Sequence, residues 1–493
     1  MTIRETKNHQ RVIIFLILGL FSCVQEKESI VEKDADKPNI VLIVSDDHGL
    51  DAVGCYGNQV IQTPNIDQLA QDGTKFTDAF CTSASCSASR STLLTGQFNH
   101  AIGHYGHAHD FHHFSTFDSV KTLPVILDQN NYRTARIGKY HLAPESVYFF
   151  QEVLEADPRN TIEMAENSSD FINKNDEPFF LYFCTDDPHR GHPFTPDPWN
   201  APNSFGNLEN GYEGVTQISY SPEEVIVPDY LPDTETCRAE LANYYQSVSR
   251  IDQGVGRLIN ELKKAGKYEN TVIIYISDNG IAFPGAKTTV YEPGIKLPCI
   301  IKSPNQENKG VTTNKMVSWV DLMPTILDYA GINYQKQNFH GESFYGKTES
   351  VDSIDSAKEK IYASHTFHEV TMYYPMRVVR ERQYKLIWNI AYGLTYPFAS
   401  DLWISSTYQD VVRNEKEYFG KRTVEDYLNR TEFELYDLKN DPEEIINLAN
   451  DPKYLEVLKR LKSDMKKFQF ETRDPWYSKW DNESVFSGTG VNL

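Results

Sequence analysis

Four apolar runs each end in a polar cluster. Ile40-Val41-Leu42-Ile43-Val44 leads into Ser45-Asp46-Asp47-His48, and Thr134-Ala135-Arg136-Ile137 leads into Gly138-Lys139-Tyr140-His141. Phe179-Phe180-Leu181-Tyr182-Phe183 leads into Asp186-Asp187-Pro188-His189, and Val272-Ile273-Ile274-Tyr275-Ile276 into Ser277-Asp278-Asn279-Gly280. Apolar runs of this length without alternation predict strands buried on both faces, usually in a parallel sheet. Helical patterns lie between them. Thr63-Pro64 sets a cap and a first-turn proline before a helix closed by Gly73. Leu241, Tyr245, Val248, Val255, Leu258, Ile259 and Leu262 mark one face of a helix stopped by Gly266. The alternation predicts a doubly wound α/β fold. Ligands of such folds bind beyond the carboxyl ends of the strands, so the four polar clusters are expected to converge on one crevice.

The pattern changes after Ile332. Met376-Arg377-Val378-Val379 and Tyr384-Lys385-Leu386-Ile387-Trp388 alternate around a charged turn, which predicts a half-exposed hairpin. Glu434-Leu435-Tyr436-Asp437 adds a strand, and residues 454–470 form an amphipathic helix with Leu458, Leu461, Met465 and Phe468 inward. A smaller α+β domain with an antiparallel sheet is therefore expected over 356–493, after a main domain over 38–355.

The amino terminus is not part of this pattern. Arg4, Lys7 and Arg11 precede the apolar run Val12 to Phe21, which is too short to span a bilayer. Leu20-Phe21-Ser22-Cys23 resembles a bacterial lipobox. Residues 1–23 are expected to be a lipoprotein signal peptide with Cys23 as the lipidation site. Residues 24–37 are polar and charged, a flexible tether. Export to the periplasm or cell surface follows, with a lipid anchor.

Formal net charge is −21 over 493 residues. No basic stripe is available for phosphates, so nucleic acid is excluded as a partner. An anionic substrate would need a local pocket of cations. The seven cysteines contain no CxxC pair, which argues against a zinc ribbon.

Asp46, Asp47, Asp278 and Asn279 are oxygen donors at predicted strand ends, a set that favours a hard cation, Ca²⁺ or Mg²⁺, over zinc. Without a metal, each close carboxylate pair would cost about 4 kcal/mol at an effective dielectric near 20. Arg90, Lys139, His141, His189 and Lys287 supply the cationic set. Cys86-Ser87-Ala88-Ser89-Arg90 puts a thiol, a small residue and a guanidinium at the start of a helix-forming run. Helix starts offer unpaired N–H groups and a positive dipole end, so the segment suggests a reactive group over a bound anion. A crevice of metal, cations and imidazoles suits attack at a sulfuryl or phosphoryl centre, with a histidine protonating the leaving group.

These residues resemble, in order and context, the site of the type I sulfatases. The pentapeptide from Cys86 to Arg90 is similar to the family signature, cysteine-x-proline/alanine-x-arginine, in which the cysteine is oxidised to formylglycine. Asp46-Asp47, Lys139-x-His141, His189, and Asp278-Asn279 with Lys287 complete the likeness, which covers about residues 37 to 480. It is nearest to the heparan N-sulfatase branch. His112-His113-Phe114, Asp187-Pro188-His189-Arg190, His368-Glu369-Val370-Thr371-Met372, Tyr374-Pro375-Met376-Arg377 and Glu471-Thr472-Arg473-Asp474-Pro475-Trp476 carry that closer match.

The resemblance implies an alkaline-phosphatase-like fold with a catalytic sulfatase domain. It implies Ca²⁺ held by Asp46, Asp47, residue 86, Asp278 and Asn279. Residue 86, as a formylglycine hydrate, would attack sulfur while Arg90 and Lys139 hold the sulfate. His189 with Lys287 would face the leaving group, and His141 would help regenerate the aldehyde. His368, Glu369 and Arg377 are the candidate sugar contacts. Ala88 stands where many members have proline, the form typical of bacterial sulfatases matured by anaerobic radical enzymes. Lys287 replaces the arginine of the sulfamidase pattern and loses a bidentate fork.

The expected activity is removal of N-linked sulfate from terminal N-sulfoglucosamine of heparin or heparan sulfate fragments. An O-sulfatase on another sulfated glycan, host or algal, is the alternative. A phosphodiester or phosphonate hydrolase and a non-catalytic glycan-binding lipoprotein are more distant readings. The expected partners are the sulfated saccharide and a sulfatase-maturating enzyme; oligomeric state is not readable.

Overall fold

Strand β1 (Asn39–Ser45) sits at the centre of an eight-stranded sheet. The other strands are β2 (Thr74–Phe76), β3 (Arg133–Gly138), β4 (Glu152–Leu154), β5 (Phe179–Cys184), β6 (Thr271–Ser277), β7 (Cys299–Lys302) and β8 (Val311–Thr313). Their order is β4-β3-β5-β1-β6-β7-β2-β8. All pairings from β4 to β6 are parallel, and β7 runs antiparallel to β6 and β2. The computed structural model describes residues 37–191, 201–304, 306–336, 339–346 and 358–480. The signal peptide, Cys23, residues 24–36 of the tether and the boundary near 355 lie outside the described residues. The described residues, from Lys37 onward, belong to one unit of contacts.

The continuous apolar runs do what their pattern predicts. In β1, Ile40, Leu42 and Val44 enter one core cluster while Val41 and Ile43 enter another on the opposite face. Phe180, Tyr182 and Cys184 of β5 follow the first face, and Phe179, Leu181 and Phe183 the second. Two-sided burial of these strands leaves polar side chains room mainly at their ends.

Helix α1 (Pro64–Asp72) starts where its proline predicts, but Thr63 does not cap it. Its hydroxyl accepts the Gly54 N–H at 2.8 Å. The free N–H groups of Asn65 and Ile66 are taken by Asp252 at 2.9 and 2.8 Å. Asp252 belongs to α3 (Glu235–Lys264), whose predicted apolar face is buried throughout. Between them in the chain lies α2 (Cys86–Thr95), every residue of which is buried.

The second sheet is antiparallel, in the order β9 (Ile361–Phe367), β10 (Tyr373–Arg380), β11 (Tyr384–Asn389), β12 (Phe433–Asp437). The β10–β11 hairpin forms as expected but is not half-exposed. One face, with Met376, Val378 and Ile387, joins the main core. The other, with Val379, Leu386, Trp388 and Leu435, packs on Leu461 and Met465 of α4 (Leu455–Glu471). Its charged positions are buried in ion pairs: Arg377 with Asp474, and Lys385 with Glu292 and Glu444.

Candidate active site

The carboxyl ends of β1, β3, β5 and β6 meet as the sequence pattern predicts. Asp46 and Asp47 follow β1, Lys139 follows β3, His189 follows β5, and Asp278 and Asn279 follow β6. Asp278 Oδ1 accepts the Asp47 N–H at 3.1 Å, tying the two acidic turns together. The Asn279 amide donates to Asp47 Oδ1 at 2.5 Å. Three residues here have positive φ: Asp47 at 61°, His141 at 55° and Thr288 at 65°. For a β-branched residue such as Thr288 that is an outlier, and such strain collects at functional sites.

Ser85 precedes α2, so Cys86 occupies the first helical turn, fully buried. Its Sγ lies 3.7 Å from Asp47 Oδ1. Burial first, then the Asp46 carboxylate, pushes the Cys86 thiol well above its ordinary pKa, against the opposing pull of Lys287. The encoded sulfur is therefore protonated and a poor nucleophile. One turn along, Arg90 donates from Nε to Asp278 Oδ2 at 2.8 Å and from Nη1 to the Lys139 carbonyl at 3.1 Å. Lys139 pairs with Asp46. Lys287, fully buried, joins Asp47 at 2.8 Å to Asp401 at 2.5 Å.

The donor set fits a hard cation. Ligand atoms of Asp46, Asp47, Cys86 and Asp278 lie within 4.8 Å of one another. Asp46 Oδ1 and Asn279 Oδ1 are buried with no hydrogen-bond partner. Without a cation the carboxyls resist ionisation. Burial, then Asp278, raises Asp46 to about 7, and burial, opposed by Lys287 and reinforced by Asp46, raises Asp47 to about 6. A divalent ion on those orphaned oxygens reverses both effects.

A cavity of about 690 Å³ opens beside this centre, lined by Lys139, His141, His189, His368, Glu369 and Asp401, among others. Burial holds the His141 and His189 imidazoles well below their ordinary pKa; His107 reinforces this at His141, and Lys139 at His189. His368 accepts or donates to Ser85 Oγ at 2.9 Å, beside Cys86. Glu369 accepts the Ser400 N–H at 2.9 Å. Arg377 is the candidate sugar contact that the structure does not bring here. It is fully buried, with Nη2 on Asp474 at 2.9 Å, because the sheet is covered on the face where an exposed hairpin was expected.

Sequence reasoning missed Asp401, whose Oδ2 is also 3.8 Å from His189 Nε2. It follows no apolar strand, and only the tertiary fold brings it to the site. His107 and His109 were also missed. Six of the 14 histidines fall between His100 and His113, a local density that could have found them.

A buried acidic cradle at the ends of parallel strands, faced by cations and imidazoles, defines a hydrolase of anionic esters with the alkaline-phosphatase-like fold. A sulfatase family model matches residues 38–332, and a model of the C-terminal region of N-sulphoglucosamine sulphohydrolase matches 285–397. The chain belongs to the sulfatase family, hydrolases of sulfate esters and sulfamates. It is 37% identical over 459 residues to the N-sulphoglucosamine sulphohydrolase of Homo sapiens, covering 89% of this chain and 91% of that protein. It is 27% identical over 450 residues to an ulvan-active sulfatase of Formosa agariphila, covering 89% of this chain and 82% of that one. A solved structure in complex with its substrate, D-glucosamine-2-N,6-O-disulfate, superposes with a TM-score of 0.64 at 22% identity, over 89% of this chain and 99% of that one.

Proposed function

We propose that this chain is an exported sulfamidase that hydrolyses N-linked sulfate from terminal N-sulfoglucosamine of heparin or heparan sulfate fragments. The carrying observation is the 37% identity to the human sulphohydrolase, which spans both the sulfatase region and the C-terminal sheet. In this reading Cys86 is converted to formylglycine by a maturating enzyme, and Cys23 anchors a bacterial lipoprotein at the periplasm or cell surface.

In this reading each site residue takes a role. A formylglycine hydrate at position 86 would supply the attacking oxygen, and Ca²⁺ held by Asp46, Asp47, Asp278 and Asn279 would draw charge from the sulfate oxygens. Lys139, at the cavity wall, and Arg90 behind it offer cationic donors to an anion held at α2. Arg90 Nη2, buried and without a hydrogen-bond partner, is the available donor. His189 Nε2 lies 4.0 Å from Asp47 and faces the cavity. The anionic substrate offsets the two nearby lysines and lets this imidazole carry the proton that the leaving amine needs as the N–S bond breaks. His141, also at the cavity wall, handles the proton of the hydrate. His368 and Glu369 are the residues offered to the sugar.

Lys287 favours one second reading, an O-sulfatase on another sulfated glycan. An ammonium is a point charge without the planar fork that the sulfamidase pattern carries here. The test is a panel of N-, 2-O- and 6-O-sulfated saccharides with sulfate release as the readout. Release from the N-sulfated member supports the sulfamidase; release from O-sulfated members alone sinks it.

A further inference from the structure

A second cluster of metal-competent groups lies at the cavity wall, apart from the carboxylates. Ring centroids of His109 and His141 are 4.4 Å apart, those of His107 and His141 4.7 Å, and those of His107 and His109 4.9 Å. One nitrogen from each lies within 4.8 Å of the others. The Nδ1 atom of His107 is buried with no hydrogen-bond partner. Buried, unpaired ring nitrogens are costly to leave without a ligand.

We propose that His107, His109 and His141 form a site for a borderline transition-metal dication, with Zn²⁺ the best match. It is separate from the hard-cation centre of Asp46, Asp47, Asp278 and Asn279. Neutral imidazoles select zinc and its neighbours, whereas carboxylate and amide oxygens select Ca²⁺ or Mg²⁺. Burial keeps His107 and His141 in that neutral form. Zn–N bonds of about 2.0–2.1 Å put tetrahedral ligands roughly 3.3 Å apart. His109 Nδ1 and His141 Nε2 stand at 2.5 Å, so they need to open by only about 0.8 Å. His107 is backed by His368 at 2.9 Å, and His368 in turn by Ser85 at 2.9 Å. Such chains orient ligating imidazoles. His112, with its ring 5.5 Å from that of His109 and 5.6 Å from that of His107, is the candidate fourth ligand.

An ion there would occupy the lone pair of His141 at the wall of the substrate cavity, so it would act as a reversible brake. The site itself does not depend on which sulfate ester is the substrate. The test is therefore binding. The full-length protein, held in excess Ca²⁺, is titrated with ZnCl₂ by calorimetry and with CoCl₂ by visible absorption. One saturable site per chain is expected, with ligand-field bands of a low-symmetry cobalt complex. His109→Asn, at a half-exposed position, and His107→Ala should each weaken Zn²⁺ binding at least tenfold without changing the bound calcium. No saturable Zn²⁺ binding would overturn the proposal. So would an unchanged affinity in His109→Asn, which would place the ion at Asp47, His189 and Asp401 instead.

Discussion

Asp474 grips Arg377 through both carboxylate oxygens, with Nη2 to Oδ1 at 2.9 Å and both side chains fully buried. The pair ties the segment after α4 to β10, since Arg377 also donates to the His365 and Met376 carbonyls at 3.1 and 2.8 Å. Truncating one partner of such a pair leaves a buried charge uncompensated. Arg377→Ala is expected to destabilise the protein by about 3–5 kcal/mol, while kcat/KM of the folded fraction stays near that of the parent. Urea midpoints and saccharide kinetics check both. A large rise in KM with unchanged stability would return Arg377 to the sugar site.

The same pair predicts a pH dependence. Burial alone would raise the Asp474 carboxyl, but Arg377 and the hydrogen bonds to it win and hold it below its ordinary range. A folded pKa below the unfolded value near 3.9 gives stability that is fully present above about pH 4 and is lost as pH falls. The stability gap between the parent and an Arg377→Met/Asp474→Leu double variant should therefore narrow below about pH 4. A gap that is flat from pH 6 to pH 3 would remove the electrostatic account.

Cys86 is buried among acids that keep its sulfur protonated. Protein made without a maturating enzyme, and Cys86→Ala, should each lose at least about 10³-fold in kcat, as loss of a nucleophile does elsewhere. Mass spectrometry of the residue-86 peptide, set against turnover, is the measurement. Activity should scale with the fraction converted, and full activity from an unmodified thiol would refute the assignment.

Metal removal should act on both activity and stability. Asp46 Oδ1 and Asn279 Oδ1 are buried with no hydrogen-bond partner, and Asp46, Asp47 and Asp278 repel one another without a cation. Chelation is expected to suppress turnover and lower Tm, with Ca²⁺ restoring both ahead of Mg²⁺. At a hundredfold excess over Kd the ion contributes about 2.7 kcal/mol. Metal-free protein that turns over normally would exclude the centre.

Much of this site was readable before folding because two-sided burial of β1, β3, β5 and β6 forces polar residues to the strand ends. Asp46, Lys139, His189 and Asp278 all fall there. Periodicity also gave the inward face of α3 and the hairpin of the second sheet. It could not give what covers that hairpin: alternation looks alike whether charged positions meet water or, as with Arg377 and Lys385, a buried counter-ion. Nor could it show that Asp252, rather than Thr63, satisfies the start of α1, since those residues meet only through packing of α1 on α3.

Asp401 carries the last prediction. It contacts Lys287 at 2.5 Å and stands 3.8 Å from His189, so one carboxylate orients both a buried ammonium and the candidate proton donor. Lys287 is left with Asp47 alone when the charge is removed, and it is drawn toward the metal cradle. Asp401→Asn keeps the shape but not the charge, and should lower kcat about 10–100-fold, in the range seen for outer groups that orient ligands. KM should change less, because the sulfate contacts proposed for Lys139 and Arg90 are untouched. An unaltered kcat with a raised KM would instead make Asp401 a substrate contact.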